Sequence, residues 1–491
     1  MDYQQLLLTL LPDLLVVVAL FAALGVDYSR LRGSRLAKRY EVAFQISAAG
    51  LIAGLAVLVL QITGTMSVME STADGQLVLN TGTLTLKALL YAMGLGVLPL
   101  AKRDQITPQV SEYFALLLLA TLGMGFVVTS RNLLGAFVAL ELVSLSLYAM
   151  TVLNQARRAS AEAALKYLTF GAVSSGFLLF GLSYLYGATG QLDLTQMKGL
   201  QHSPLLVLAY LLIFVGLGFK LALAPFHLWA PDVYQNAPTP VAGWIGSGSK
   251  IAAAALLLAL LQPVFDVPKL KEALIPALAA LAVLSMVVGN LGALRQTNLK
   301  RLLAYSAIAN AGYLLVGVVA FSAAGNTSVI FYILVYSLAS LGAFGVVAVL
   351  TDKLGRDAEI NDFNGCWKTT PGLAAAFLVF VLSLAGIPPL AGFLGKFYLF
   401  FAAIEAAPKA ASWNDGFYWL VAFALIMSVV SLYYYLRVLK AFLVAPADDG
   451  AAIAPSKIGW AAGATLCILA LAVVALGLWP EPLLALLKNP S

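Results

Sequence analysis

Along the chain, runs of about 20 apolar residues alternate with short polar connectors, and about that length is what a helix needs to cross a bilayer. Fourteen such runs can be read, at 11–27, 41–61, 80–101, 111–129, 132–153, 160–187, 205–224, 240–261, 272–294, 298–321, 327–350, 372–403, 416–443 and 459–479. The stretch from Leu205 to Leu223 is apolar on every face, whereas a membrane barrel strand would alternate over roughly 10 residues. The pattern therefore predicts an all-α integral membrane protein with 14 transmembrane helices. It is expected to form a single polytopic domain over 1–491. Helices 1–3 fall in 1–110, a first repeat in 111–261, a second in 272–443 and a last helix in 459–491.

Composition agrees. The chain is 61% hydrophobic and 11% charged, with a mean hydropathy of +0.92, far from the soluble-globular range. Asp2 precedes the first apolar run and basic residues follow it, the reverse of a secretion signal, so this run is expected to be a retained helix. Cys366 and Cys467 are far apart and in no ligand-spaced motif, which leaves zinc and iron–sulfur sites without support. The only histidines are His202, in a polar connector, and His227, beside a proline-rich turn. No cofactor or metal is expected on this chain.

With fourteen spans both termini share one side. Connectors after odd-numbered helices hold 18 of the Lys and Arg residues and the opposite connectors hold 6, so the positive-inside bias places both termini outside. This asymmetry accounts for the net charge of +6. A nucleic-acid surface would need a basic stripe, and these charges are scattered over many connectors.

Five lysines remain, all inside spans: Lys87, Lys166, Lys220, Lys250 and Lys396. Each costs about 2.5–3.5 kcal/mol at the bilayer centre unless paired or hydrated. Lysine, unlike arginine, can give up its proton in such a place, so the set points to proton movement. Glu141, nine residues into helix 5, is expected to be the only deep acid. At an effective dielectric near 20 it would attract a lysine about 4 Å away by roughly 4 kcal/mol. A movable Glu141–Lys166 pair beside Lys220 is expected, with protons passing through Lys250 to Lys396. Glu162, four residues before Lys166, offers the alternative of a surface pair.

The string Gly246-Ser247-Gly248-Ser249 before Lys250 superficially suggests a phosphate loop but lacks its spacing and preceding strand. Lys220 and Lys396 each lie near a break. Pro225 follows the first, and Gly386-Ile387-Pro388-Pro389-Leu390-Ala391-Gly392 precedes the second. Proline removes helix hydrogen bonds, and broken helices in two corresponding halves mark inverted-repeat transporters. Helices 7 and 12 are five apart, an odd offset, which predicts two inverted five-helix repeats, helices 4–8 and 9–13. Lys220 is expected at the carbonyl end of its half-helix and Lys396 at the amide end of the other. Lys396 would lie nearest the outer face, as the exit residue. Lys87, near the outer start of helix 3, is expected to snorkel to the interface. His227 is a candidate relay, with a turn histidine bonded to backbone as the alternative.

Several strings carry a resemblance: Glu141-Leu142-Val143-Ser144-Leu145-Ser146-Leu147-Tyr148, Glu162-Ala163-Ala164-Leu165-Lys166-Tyr167, Pro225-Phe226-His227-Leu228-Trp229-Ala230-Pro231-Asp232-Val233-Tyr234, Ala237-Pro238-Thr239-Pro240-Val241, Leu299-Lys300-Arg301-Leu302-Leu303-Ala304-Tyr305-Ser306 and Gly386 to Phe393. Together they resemble the antiporter-like membrane subunits of respiratory complex I, the subunit N branch above all, and more distantly the Mrp antiporter subunits. The resemblance covers 110–445 most strongly. It implies that Glu141, Lys166, Lys220, Lys250 and Lys396 are the proton-channel residues, with His227 in the connecting path and no role for Lys87. It also implies a bacterial cytoplasmic-membrane assembly whose other subunits hold FMN and iron–sulfur clusters and reduce a quinone. Antiporter-like and small hydrophobic subunits would be this chain's neighbours. The rival readings are an Mrp-type cation/proton antiporter subunit and a membrane scaffold that conducts nothing.

Overall fold

The computed structural model describes residues 3–66, 71–72, 76–154, 158–198, 200–351, 354, 356–406, 417–446 and 458–487. Asp2, Arg157, Lys353, Lys409, Gly416, Lys457 and Lys488, used in the sequence reading, lie outside the described residues. The helices are α1 (Tyr3–Val26), α2 (Leu36–Ile62), α3 (Thr81–Asp104), α4 (Val110–Thr129), α5 (Leu133–Val152), α6 (Arg158–Thr189), α7 (Pro204–Leu221), α8 (Ala230–Asn236), α9 (Thr239–Gly246) and α10 (Gly248–Leu261). They continue as α11 (Pro268–Leu294), α12 (Leu299–Val318), α13 (Ala323–Thr351), α14 (Cys366–Thr369), α15 (Pro371–Ala385), α16 (Ala391–Glu405), α17 (Tyr418–Leu443), α18 (Trp460–Leu478) and α19 (Glu481–Leu487).

Among the described residues, 13 helical segments are long and apolar enough to cross a membrane, and the remaining expected span is split into α15 and α16. The protein is a multi-pass membrane protein, all-α apart from a hairpin of two-residue strands, Ser71–Thr72 and Leu77–Val78. Its ends are set by local chemistry. Asn80, Asn132, Ser203 and Asn298 cap the amide ends of α3, α5, α7 and α12, satisfying N–H groups that a helix start leaves open. Pro12 sits inside α1, where it leaves the Leu8 carbonyl without its helical donor. Gln61 of α2 donates to that carbonyl at 3.1 Å and so binds the two helices together.

Alternate connectors meet on two opposite faces. On one, Leu77 bridges Ser130 and Asn132 bridges Asp193; on the other, Asn298 bridges Glu359. The long helix α13 is the central pillar, almost wholly buried and packed on α9, α10, α12, α15, α16 and α18. Helices α11 and α12 press closely together at Gly289, where a Cβ would stand 2.4 Å from the Ala309 amide nitrogen. Close backbone approach of this kind is how helices associate without a hydrophobic drive from lipid.

Three spans are interrupted, one more than the sequence predicted. The expected helix 7 ends at Leu221 with Ala222 in the left-handed region (φ 60°), and helix 12 ends at Ala385 with Gly386 likewise (φ 85°). The third break is Ser247, between α9 and α10. It falls inside the Gly-Ser string set aside as a failed phosphate loop; its physical meaning is a helix stop just before Lys250.

Candidate functional site

Lys220, Lys250 and Lys396 each stand within a turn or two of a helix break, where unpaired main-chain groups are available to a side chain. None of the three makes an ion pair among the described residues. Lys220, the penultimate residue of α7, points across to α5, where its Nζ donates to Ser144 Oγ and, at 3.3 Å, to Tyr148 Oη. Lys250 is 1% exposed, and its Nζ donates to the Ala307 carbonyl of α12 at 2.8 Å. Lys396 is also buried. It reaches back over the break to the Ala385 and Leu384 carbonyls of α15, at 3.1 and 3.3 Å, and to Ser428 of α17 at 3.2 Å.

That geometry corrects the expectation for Lys396. Although it lies in α16, one turn past the start, its ammonium sits on the carbonyl end of α15. Side chains lean toward the N-terminus of their own helix, and here that direction crosses the break. Gly386 makes the passage: a Cβ there would meet Lys396 Cδ at 3.0 Å. At the other break the Phe219 carbonyl accepts from the Ala222 amide at 3.0 Å and from the indole of Trp229 at 3.1 Å, which leaves Lys220 for α5.

Glu141 is half-buried and accepts from Ser175 of α6 at 2.5 Å. The expected Glu141–Lys166 pair is not what the structure contains. Lys166 pairs instead with Glu162 at 2.8 Å and Asp232 of α8 at 3.0 Å, and Arg301 of α12 joins Asp232 at 2.6 Å. The reason is helical phase, since Ser175 lies nine residues beyond Lys166, half a turn around α6 and about 13 Å along its axis. His227 lies in the turn after α7 with Nδ1 buried and without a hydrogen-bond partner among the described residues.

Lys87 does not snorkel. It is 1% exposed and ion-paired with Asp13 of α1 at 2.6 Å. Glu141 is therefore not the only deep acid, because Asp13, ten residues into α1, is deeper in protein than the early boundary of the first apolar run suggested.

Between Lys250 and Lys396 runs a band of neutral polar groups that sequence reasoning missed. Ser306 and Tyr435 share a hydrogen bond of 2.5 Å, Asn310 donates to the Ser306 carbonyl at 2.8 Å, and Tyr332 donates to Asn310 at 2.7 Å. Asn290 then bonds Tyr313 at 3.2 Å and Tyr434 at 3.1 Å, while Lys396 Nζ lies 4.8 Å from the Tyr313 ring centre. Ser306, Asn310 and Tyr313 recur at i, i+4 and i+7 on α12. That stripe in an otherwise apolar helix was the available signal.

The profile of the transmembrane family "NADH:quinone oxidoreductase/Mrp antiporter" matches residues 130–431, which span every group above except Asp13, Lys87 and part of α17. The chain belongs to this family. Within it, the chain is 44% identical over 99% of its own length and 99% of the relative's to NADH-quinone oxidoreductase subunit N 2 of Acidobacterium capsulatum. It is 40% identical to the subunit N of Salinibacter ruber over 80% of this chain and 78% of that one. A chain of respiratory complex I from Thermus thermophilus superposes with a TM-score of 0.80 at 34% identity, covering 97% of this chain and 99% of that one. A chain of the Mrp complex from Dietzia sp. shares the fold, with a TM-score of 0.81 at 22% identity and coverages of 99% and 97%. These subunit N relatives agree with the branch that the motifs indicated. No group of three His, Cys, Asp or Glu suited to a metal occurs among the described residues.

Proposed function

We propose that this chain carries protons through the membrane arm of an NADH:quinone oxidoreductase, as its antiporter-like subunit. Glu141, Lys166, Lys220, Lys250 and Lys396 are the titrating residues, and the Ser306–Asn310–Tyr435 and Asn290–Tyr313–Tyr434 bands connect the last two. His227, in the turn beside Lys220, is assigned to the relay. FMN and the iron–sulfur clusters belong to partner subunits, the quinone is the substrate of the assembly, and other antiporter-like and small hydrophobic membrane subunits flank this one. The chain is read as one membrane domain, with helices 4–8 and 9–13 as inverted units. Both termini face the outer side of the bacterial cytoplasmic membrane.

One observation carries this reading: the buried Lys250 and Lys396 and the half-buried Lys220 are held by hydroxyls and carbonyls, with no ion pair among the described residues. An amine so placed keeps its hydrogen bonds whether it carries two protons or three. Departure of a proton therefore strands no bare carboxylate in the bilayer interior, the costly outcome for a buried pair. Moving a charge outward costs about 2.3 kcal/mol per 100 mV, so quinone reduction elsewhere in the assembly must drive it.

Replacing Lys220 or Glu141 by alanine in the complete assembly is expected to abolish or strongly lower proton pumping while the complex still forms. Unchanged protons pumped per electron in both variants would defeat the assignment. Sodium uptake by reconstituted membranes without NADH or quinone would instead support the antiporter reading.

A further inference from the structure

The first three helices precede the proposed five-helix units, and they contain a titratable cluster that the route above does not use. Asp13 of α1 is 3% exposed and Lys87 of α3 is 1% exposed. Lys87 Nζ donates to Asp13 Oδ2 at 2.6 Å, and Tyr91, one turn further along α3, donates to Oδ1 at 2.7 Å. The ammonium lies 5.2 Å from the Phe126 ring centre, and its stem runs along Gly125 of α4. Lys87 is only six residues from the start of α3, about 9 Å along its axis, and a free lysine there would extend to the interface. It turns inward.

Packing alone gives little reason for the arrangement, because a buried ion pair contributes no more stability than apolar residues of the same volume. Space that starts on the Arg131 face reaches α3 at Leu86, the neighbour of Lys87 in sequence. A cavity of about 400 Å³ lined by Arg131, Thr195, Lys198, Gln262 and Asp266 opens on the face where Asn132 bridges Asp193. Behind Arg131 lies a second space of about 10 Å³, bounded by Leu86, Val128, Leu258 and Asn326. That is room for about one water. Leu86 precedes Lys87 on α3, and the opposite wall belongs to α10, the helix of Lys250.

We propose that Asp13, Lys87 and Tyr91 form a further proton-binding site, lateral to the lysine row and served from the Arg131 face. The step is balanced within the pair: a proton leaves Lys87 Nζ and bonds to Asp13 Oδ2, giving an amine and a carboxylic acid with no change in net charge. The amine then takes up a proton arriving from the Arg131 side, and the acid or the ammonium later returns one. Tyr91 holds the second carboxylate oxygen in either form. The proposal rests on the proton-carrying reading and extends it to helices outside the family match.

The test uses the complete assembly in liposomes with Asp13→Asn, Lys87→Met and the double variant, alongside Glu141→Gln. Protons pumped per electron and redox-induced infrared difference spectra are recorded. A proton-binding site predicts that the double variant assembles, pumps fewer protons per electron than the unaltered chain, and loses a carboxylic C=O band that Glu141→Gln retains. A merely structural pair predicts that the double variant recovers what either single one loses, with unaltered stoichiometry and spectrum, and that result would overturn the proposal. Loss of pumping in Glu141→Gln is read independently, so failure here and failure of the main route are told apart.

Discussion

The two proline breaks are built alike and used differently. Each half-helix ends in a left-handed residue, Ala222 or Gly386, and each leaves carbonyls open. At the first break the Ala222 amide and an indole share the Phe219 carbonyl, and Lys220 is free to bond hydroxyls of α5. At the second, Lys396 itself closes the carbonyls of α15. A lysine's place in sequence, before or after a break, therefore does not tell which end of the helix dipole it meets. What else is present to satisfy the open backbone decides, since a carbonyl left bare at depth costs about 1–3 kcal/mol.

This difference makes Lys396→Met the most damaging change expected. It removes a proposed proton carrier and leaves the Leu384 and Ala385 carbonyls open, so both pumping and thermal stability of the assembly should fall. Lys220→Met should lose pumping with a smaller loss of stability, and equal melting temperatures for the two variants would refute the distinction. Next in size is Trp229→Phe, which leaves the Phe219 carbonyl with the Ala222 amide alone, a lost hydrogen bond of about 0.5–1.5 kcal/mol. Lys220 is then expected to turn toward that carbonyl, lowering the pumped stoichiometry; Trp229→His, which keeps a ring N–H, should restore part of it.

A smaller effect is expected at the Asp232 cluster, which ties α6 and α8 to α12. Burial works to raise the Asp232 carboxyl, but hydrogen bonds and charge from Arg301 and Lys166 outweigh it and hold the group below the usual range. A depressed folded-state value means stability that is present above the ordinary carboxylate value, about 3.9, and is lost as pH falls through the folded one. Asp232→Asn should then lower stability at neutral pH by about 1 kcal/mol for these partly exposed pairs. The gap between variant and unaltered chain should close in acid, measured by denaturation at several pH values. Smallest is Ser428→Ala, which takes one of three partners from Lys396 and should slow pumping without stopping it.

Much of this was legible beforehand. Fourteen apolar runs, two proline breaks and five lysines within the runs follow from hydropathy and from the cost of charge in lipid, which act along the chain, although Lys166 proves to be a partly exposed member of the surface pair with Glu162. What escaped depends on rotation and reach. Lys166 and the Ser175 that holds Glu141 are half a turn apart on α6, so a pairing that looked natural from depth alone is closed by phase. Lys396 spans its break because a lysine side chain is longer than the gap. Asp13 and Lys87 are 74 residues apart in sequence, and only the packing of α1 and of α3 against α2 and α4 brings them together. The hydroxyl and amide band on α12 was hidden because the helix still reads as an apolar span, although its hydropathy is the lowest of the 13 and the shared face of these residues was there to be counted.

The most direct measurement is the number of protons pumped per electron by the complete assembly carrying Lys250→Met, reconstituted in sealed liposomes. Lys250 is the lysine held by a single main-chain carbonyl and standing between the two breaks, so its loss should cut the row. The account predicts an assembled complex that still reduces quinone and pumps distinctly fewer protons per electron. The same stoichiometry as the unaltered chain would contradict it.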